Sequence, residues 1–520
     1  MIEQDDVIKT GQTAPLQKAG VKAWIGLAVL GMTSLVVAID LFVMLLALPR
    51  ISQDLHTSST QLLWITDMYG FLLAGFMITM GTLGDHIGRR KVLLIGSAAF
   101  GAISLLVAFS QSAEMLIFAR ALLGVAGAMI APAALSLIRH MFADPKENAR
   151  AISIWLSCLI SGSIVGPLVG GILLEHFWWG SVFLVGVPVM IIVLLLGKWL
   201  LPEYKNPHAA RLHFPSVFLS LLAILPLMYG MKEVAAHGWQ VVPIIALLIG
   251  AVCSVWFVYQ QRKLTDPLVD ITLFRKPAFT IMLIAMLMNT MFPGGVMVLS
   301  TQYLQLVAEL SPLQAGLWLI PVMLASIVGF QASPSLARLI RPAYLIALGL
   351  VCSIIGLLIL CLTNVGSGFA ALLIGFALFN LGSGPLVTLG TGIVIGSVAP
   401  QKAGAAAAIS QTGNEFGFAL GVAVVGSIGT FVYRLQTSTL PHGLSADATT
   451  AVRETLATAV ATASTLPGKL GGDILFLARN AFVQEYHTVA LLSAVALAIM
   501  TVLIVIKLKN LPAMTEKNQG

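Results

Sequence analysis

Gly81-Thr82-Leu83-Gly84-Asp85-His86-Ile87-Gly88-Arg89-Arg90-Lys91 joins two apolar runs, near 61–83 and 92–110, through a short turn that carries one acid and three bases in a row. Runs of about twenty apolar residues have the length that crosses a bilayer. A brief basic connection between them is what a pair of spans leaves on the cytoplasmic side, where Lys and Arg are retained. Gly81 and Gly88 permit tight helix ends, Asp85 can accept from an arginine or sit at a helix N-terminus, and Arg89 and Arg90 face the cytoplasm. A charge cluster of this kind can latch two helix bundles in one state and release them in the other.

The rest of the chain has the same texture. Its 520 residues are 58% hydrophobic and 10% charged, with a mean hydropathy of +0.95, against about 25% charged in soluble domains. The reading is an all-α polytopic membrane protein. Apolar runs recur near 24–48, 61–83, 92–110, 114–138, 151–174, 181–201, 214–230 and 241–261, then near 278–301, 312–336, 343–362, 367–396, 403–432 and 488–508. Fourteen spans are expected. An even number places both termini on one face. If that face is the cytoplasm, its segments hold 22 of the 29 Lys and Arg residues, the bias that sets orientation.

The formal charge of +7 is spread over short loops instead of one groove, so nucleic acid is not an expected partner. The start at 1–22 lacks a cleavable signal pattern, and the first span is expected to remain as an anchor. Cys158, Cys253, Cys352 and Cys361 all fall in spans without metal or redox spacing and read as packing residues. No phosphate-binding loop, HExxH or GxSxG string occurs, so an ATP-driven pump and a membrane hydrolase lose their motifs. No enzyme activity, metal or cofactor is expected. Transport driven by a gradient leads.

Three acids, Asp40, Asp67 and Glu415, lie inside apolar runs, where a charge costs on the order of 3 kcal/mol at a helix centre. Such residues carry protons, ions or cationic ligands. Arg120 in span 4 needs a partner or a wet cavity, with Asp40 or Asp67 as the candidates. Gly124 and Gly127 follow it on the same helix face. In span 5, Gly162-Ser163-Ile164-Val165-Gly166-Pro167-Leu168-Val169-Gly170-Gly171 sets Gly162, Gly166 and Gly170 at i, i+4 and i+8, a groove for close helix contact.

Together the 81–91 string, Arg120 with its glycines and the span 5 string resemble the motifs of the major facilitator superfamily. The Gly-Pro and Gly-Gly element resembles the signature of its antiporters. Asp40-Leu41-Phe42-Val43-Met44-Leu45-Leu46-Ala47-Leu48-Pro49 and Trp64-Ile65-Thr66-Asp67-Met68-Tyr69 are similar to the fourteen-span drug:proton antiporter family, and within it to quaternary-ammonium exporters of the QacA and SmvA type. The resemblance covers roughly 24–508 and implies two six-helix bundles around a cavity that opens to each side in turn, with two inserted helices. On that pattern 1–22 is a cytoplasmic tail, 23–201 the first bundle, 202–264 the inserted pair, 265–508 the second bundle and 509–520 a second cytoplasmic tail. The second bundle keeps only a remnant of the loop motif at 335–341, without an aspartate. Where some relatives place further acids, this chain has Ser326 and Gln411, which implies either weaker handling of divalent cations or a different use of protons.

Asp40, Asp67 and Glu415 are the expected proton and cation sites, with Arg120 as ion-pair partner or relay. Burial favours a neutral carboxyl and a nearby guanidinium favours the charged form, so hydration or pairing can switch protonation. A neutral, hydrogen-bonded packing role for Glu415 and a purely structural Asp40 to Arg120 pair stay open. Met44, Trp64, Tyr69, Asn289, Phe292, Gln411 and Phe416 are the expected pocket, because methionine and aromatic rings adapt to varied shapes and hold cations. The long outside segment 433–486 reads as a helical hairpin or lid, with arms at 446–464 and 468–486. The expected activity is proton-coupled export of lipophilic cations (quaternary ammonium compounds, cationic dyes, biguanide-type antiseptics) by a monomer in a bacterial inner membrane. An exporter of neutral or anionic metabolites and a non-transporting membrane protein are the alternatives.

Overall fold

The computed structural model describes residues 19–57, 59–205, 213–264, 267–366, 369–398, 403–440, 444–466 and 468–509. Most of both expected tails, the loop position Lys402 and the hairpin proline Pro467 lie outside the described residues. Among the described residues every regular element is helical, because in hydrocarbon each backbone N–H and C=O must be satisfied within its own segment.

The first set is α1 (Val21–Asp54), α2 (Ser59–Ile87), α3 (Arg89–Ala108), α4 (Ala113–Met141), α5 (Pro145–His176), the short α6 (Ser181–Leu184) and α7 (Gly186–Leu200). Next come α8 (Phe214–His237) and α9 (Val241–Lys263). The rest are α10 (Pro277–Gln302), α11 (Pro312–Leu336), α12 (Pro342–Leu360), α13 (Ala370–Gly396), α14 (Ala403–Gln436), α15 (Ala446–Glu454), α16 (Leu456–Ala463) and α17 (Gly468–Leu508). Starts follow local chemistry. Pro145, Pro277, Pro312 and Pro342 open their helices, where a missing N–H is harmless. Ser112 caps α4, and Ser311 with Gln314 forms a reciprocal capping box at α11.

Twelve helices of the described residues are long and apolar enough to cross a membrane, with α6 and α7 counted as one span. The chain is an all-α polytopic membrane protein. Of the fourteen expected spans, α8 is apolar over the shorter stretch Pro215–Met231, and α14, with Glu415 inside it, has 34 residues.

Packing falls into two sets. Helix α1 packs on α5 and α7, α2 on α4, and α3 on α4 and α7; α10 packs on α14, α11 on α13, and α12 on α13 and α17. Across the sets, α2 meets α14 and α5 meets α11. At the end that carries Arg89, residues of both sets share one apolar core, in which Ile152 and Trp155 pack with Phe330, Ile395 and Ala403. Helices α8 and α9 pair, and α8 also lies on α2 and α14.

Both arms expected in 433–486 are helical, α15 with α16 and the start of α17, and α16 packs on α17. Helix α14 runs past Tyr433 to Gln436, and the supposed second arm is the first half of α17, one helix of 41 residues. No Pro or Gly interrupts 473–508, so nothing breaks it. Tyr486 is buried and its hydroxyl bonds Ser300 of α10 at 2.9 Å. Between α14 and α17 lies the pair α15 and α16. It is held by the Tyr433 hydroxyl, which donates to the Val452 carbonyl, and by Arg453, which donates to the Thr437 and Ser438 carbonyls at the end of α14.

Candidate functional site

Between the two sets lies a cavity of about 320 Å³, within the range of small-molecule sites. Its wall is mostly apolar, with Leu41 and Phe42 from α1, Leu73 from α2, Ile160 from α5, Met323 from α11 and Phe376 from α13. Glu415 of α14 is the one charged side chain in that wall among the described residues. Polar groups in the wall are Tyr69, Ser163, Ser326 and Asn380. Ser326 donates to Asn380 Oδ1 at 3.0 Å, and Asn380 Nδ2 donates to the Phe376 carbonyl.

Asp40 is buried beside this cavity but not in its wall. Its partner is Arg120, whose Nη1 donates to Asp40 Oδ2 at 2.7 Å while Nε donates to the Ile65 carbonyl at 3.3 Å. Arg120 is fully buried, so it does not snorkel to the headgroups. Its guanidinium carbon lies 4.6 Å from the centre of the Tyr69 ring, within cation–π reach. The glycines after Arg120 make room for that tyrosine. A β-carbon at Gly124 would stand 2.4 Å from the Tyr69 carbonyl oxygen, and one at Gly127 would stand 3.2 Å from the Tyr69 hydroxyl.

Asp67 is half-buried and outside the cavity wall. The residues that flank it on its helix face, Trp64 and Phe71, pack toward α8: Trp64 stacks on Tyr229 with ring centres 5.9 Å apart, and Phe71 joins Met228 and Met231. Of the seven expected pocket residues only Tyr69 lines this cavity. Met44, Asn289 and Phe292 are buried in helix packing, Trp64 and Phe416 lie at the α2, α8 and α14 seam, and Gln411 is outside the wall. The physical reason is angular. Positions one turn from an acid share its helix face only approximately, and a neighbouring helix covers part of that face.

The 81–91 turn does bring the two sets together. Arg89 is fully buried, pairs with Asp85 and donates to the Gly81 carbonyl at 2.6 Å. A β-carbon at Gly81 would fall 2.6 Å from Ala408 of α14, and one at Gly404 would fall inside the Arg89 guanidinium. Gly88 adopts φ +117°, a conformation only glycine takes easily. Arg90 turns the other way, to Glu203 at 3.3 Å and to the Lys198 and Leu201 carbonyls. At the same end Ser153 donates to Gln331 Oε1 and Gln331 Nε2 donates to Ser157, a polar clasp between α5 and α11.

In α5 the glycine stripe packs on α1. β-Carbons at Gly162, Gly166 and Gly170 would meet Leu35, Ile39 and Val43, whereas Gly171 is exposed with nothing near it. Pro167 lies within the helix.

Sequence reading missed Asn380 and the Ser153, Ser157 and Gln331 clasp. Serine in a membrane helix commonly satisfies itself on its own backbone, so spacing alone did not single these positions out.

The helices enclose a cavity between two sets, and the chain belongs to the Major Facilitator Superfamily, whose family model matches residues 30–422, a superfamily of secondary transporters and not of enzymes. Among curated relatives it is similar to the multidrug efflux pump LfrA of Mycolicibacterium smegmatis, 40% identical over 91% of this chain and 94% of that protein. It is also similar to the methyl viologen resistance protein SmvA of Salmonella typhimurium, 34% identical over 91% of this chain and 95% of that one. Among solved structures, the human organic anion transporter MFSD10 superposes with a TM-score of 0.60 at 13% identity, covering 91% of this chain and 99% of that one. A bacterial homologue of the lysosomal transporter Spinster, inward-facing and unoccupied, gives 0.54 at 15%, covering 94% and 98%. These two likenesses concern the fold alone.

Proposed function

We propose that the protein is a proton-coupled multidrug efflux antiporter that exports lipophilic cations by alternating access. The carrying observation is Glu415, the one carboxylate among the described residues of a largely apolar wall between the two helix sets, the surroundings that suit a greasy cation. The names of LfrA and SmvA support drug efflux as the general role.

In this reading all fourteen helices cross, including α8 and α14, and both termini are cytoplasmic in a bacterial inner membrane. The domains are two six-helix bundles, 23–201 and 265–508, with 202–264 inserted and tails at 1–22 and 509–520. The Arg89 end is then the cytoplasmic end, so the shared core, the latch of Asp85 and Arg89 and the Gln331 clasp close that side. Glu415, Asp40 and Asp67 exchange protons for cargo, Arg120 holds Asp40, and Tyr69 lines the pocket. Gly162, Gly166, Pro167, Gly170 and Gly171 form the antiporter element, of which the first, second and fourth supply the close helix contact.

Energetics bound the coupling. One proton exchanged for one monovalent cation moves no net charge, so only the pH gradient drives it, at about 1.4 kcal/mol per pH unit. A second proton would add about 2.3 kcal/mol per 100 mV of potential. The test is exchange in proteoliposomes: an imposed acid gradient should drive tetraphenylphosphonium against its concentration gradient. Glu415→Gln should abolish that movement, and undiminished movement with Glu415→Gln would refute the reading.

A further inference from the structure

Asp40 does not line the cavity, so it has no direct contact with cargo there, and yet its partner Arg120 lies against a residue that does line it. Tyr69 is that residue. The Arg120 guanidinium lies over its ring, and its hydroxyl, buried against Gly127, has no hydrogen-bond partner among the described residues. The charged groups that act on Tyr69 from the elements packed around it are Asp40 on α1, Arg120 on α4 and Glu415 on α14. Asp40 and Arg120 together are neutral when seen from the cavity. If Asp40 takes up a proton, the guanidinium cannot lose its own charge, and an uncompensated cation remains behind the ring. Like charges repel strongly in a medium of low effective dielectric.

We propose that Asp40 acts on the cargo at second hand: Tyr69 is a positioning residue that holds Arg120 against the cavity wall, so that neutralising Asp40 exposes the cargo to the arginine's charge and expels it. This rests on the antiport reading and deepens it, assigning cargo contact to Glu415 and Tyr69 and cargo ejection to the Asp40 and Arg120 pair. Without an aromatic ring at position 69 the guanidinium loses its cation–π anchor and relaxes onto its remaining acceptor, the Ile65 carbonyl.

Equilibrium binding of tetraphenylphosphonium to purified full-length protein tests this. Asp40→Asn should weaken binding about tenfold, or about 1.4 kcal/mol. Adding Arg120→Gln, which removes the stranded charge and restores a neutral hydrogen-bonded pair, should regain that loss and also guards against misfolding of the single variant. The Asp40→Asn ratio should persist in a Tyr69→Phe background and fall below about twofold in Tyr69→Leu. A merely structural tyrosine would lower binding without changing that ratio. If Asp40→Asn with Arg120→Gln stays as weak as Asp40→Asn alone, or if the ratio is the same in all three backgrounds, the inference is overturned. When wild-type vesicles still exchange tetraphenylphosphonium for protons in that case, the antiport reading stands. When they do not exchange, both fall.

Discussion

Replacing Gly404 with alanine should open the Arg89 end of the protein. The Arg89 guanidinium is fully buried, paired with Asp85 and bonded to the Gly81 carbonyl, and it occupies the space a side chain at Gly404 would need. An added β-carbon would lie 1.7 Å from the guanidinium carbon, against a contact distance of roughly 3.5 Å. The guanidinium must therefore move by more than an ångström. Its Gly81 bond and its pair with Asp85 fix it where it is, so the motion breaks the pair. Losing one partner of a buried ion pair costs about 3–5 kcal/mol. Even the lower figure shifts the ratio of latched to unlatched molecules by over about a hundredfold. Hydrogen exchange read by mass spectrometry should show lost protection at 85–91 and at the start of α14, together with altered efflux kinetics. Arg89→Ala should abolish the effect of the added methyl group, since the clash acts through that arginine. Wild-type protection and transport in Gly404→Ala would refute the reasoning.

Glu415→Gln should leave the fold intact and weaken tetraphenylphosphonium binding by about ten- to a hundredfold, the worth of about 1.5–3 kcal/mol for a bond to a charged group; unchanged affinity in equilibrium dialysis would count against cargo contact there. Arg120→Ala strands a buried Asp40 and should destabilise by about 3–5 kcal/mol, while Arg120→Gln with Asp40→Asn should recover most of it. Thermal unfolding in detergent reads both, and strictly additive effects would contradict the pair. Gly162→Leu places bulk where even a β-carbon would be 2.6 Å from the Leu35 carbonyl oxygen. It should abolish the monodisperse peak in gel filtration, and a normal peak would show that α1 and α5 tolerate separation.

What the sequence revealed was whatever has a local cause. Spans follow from length and hydropathy, and the 81–91 turn and the Gly162, Gly166 and Gly170 stripe follow from spacing within one helix. The pairing of Arg120 with Asp40 was legible as one of two options, because a buried arginine in a bilayer needs an acid and only a few acids exist. Which acid, however, depends on how α4 rotates against α1 and α2, and that is set by Gly124 and Gly127 seating Tyr69. The pocket was less legible. A face such as that of Asp67, Trp64 and Phe71 looks ready for cargo in the sequence, and α8 covers it with Tyr229, Met228 and Met231. Helices α8 and α9 pair with each other, and nothing in their spacing told that α8 would also lie on α2 and α14. Asn380 carries no charge and sits in a glycine-rich run, so only the meeting of α11 and α13 gives it a place in the wall.

Helix α17 has 41 residues without a break, roughly 60 Å at 1.5 Å per residue, about twice the thickness of the hydrocarbon layer. Its N-terminal half carries α16 on its flank and Arg479 tied to Glu309 and to the Leu306 carbonyl. A stiff rod of that length transmits tilt from one end to the other. An antibody fragment or a bulky tag fixed to that N-terminal half would thereby report, or arrest, a tilt of α17 and of the helices packed on it, without touching the cavity wall, to which α17 contributes no residue.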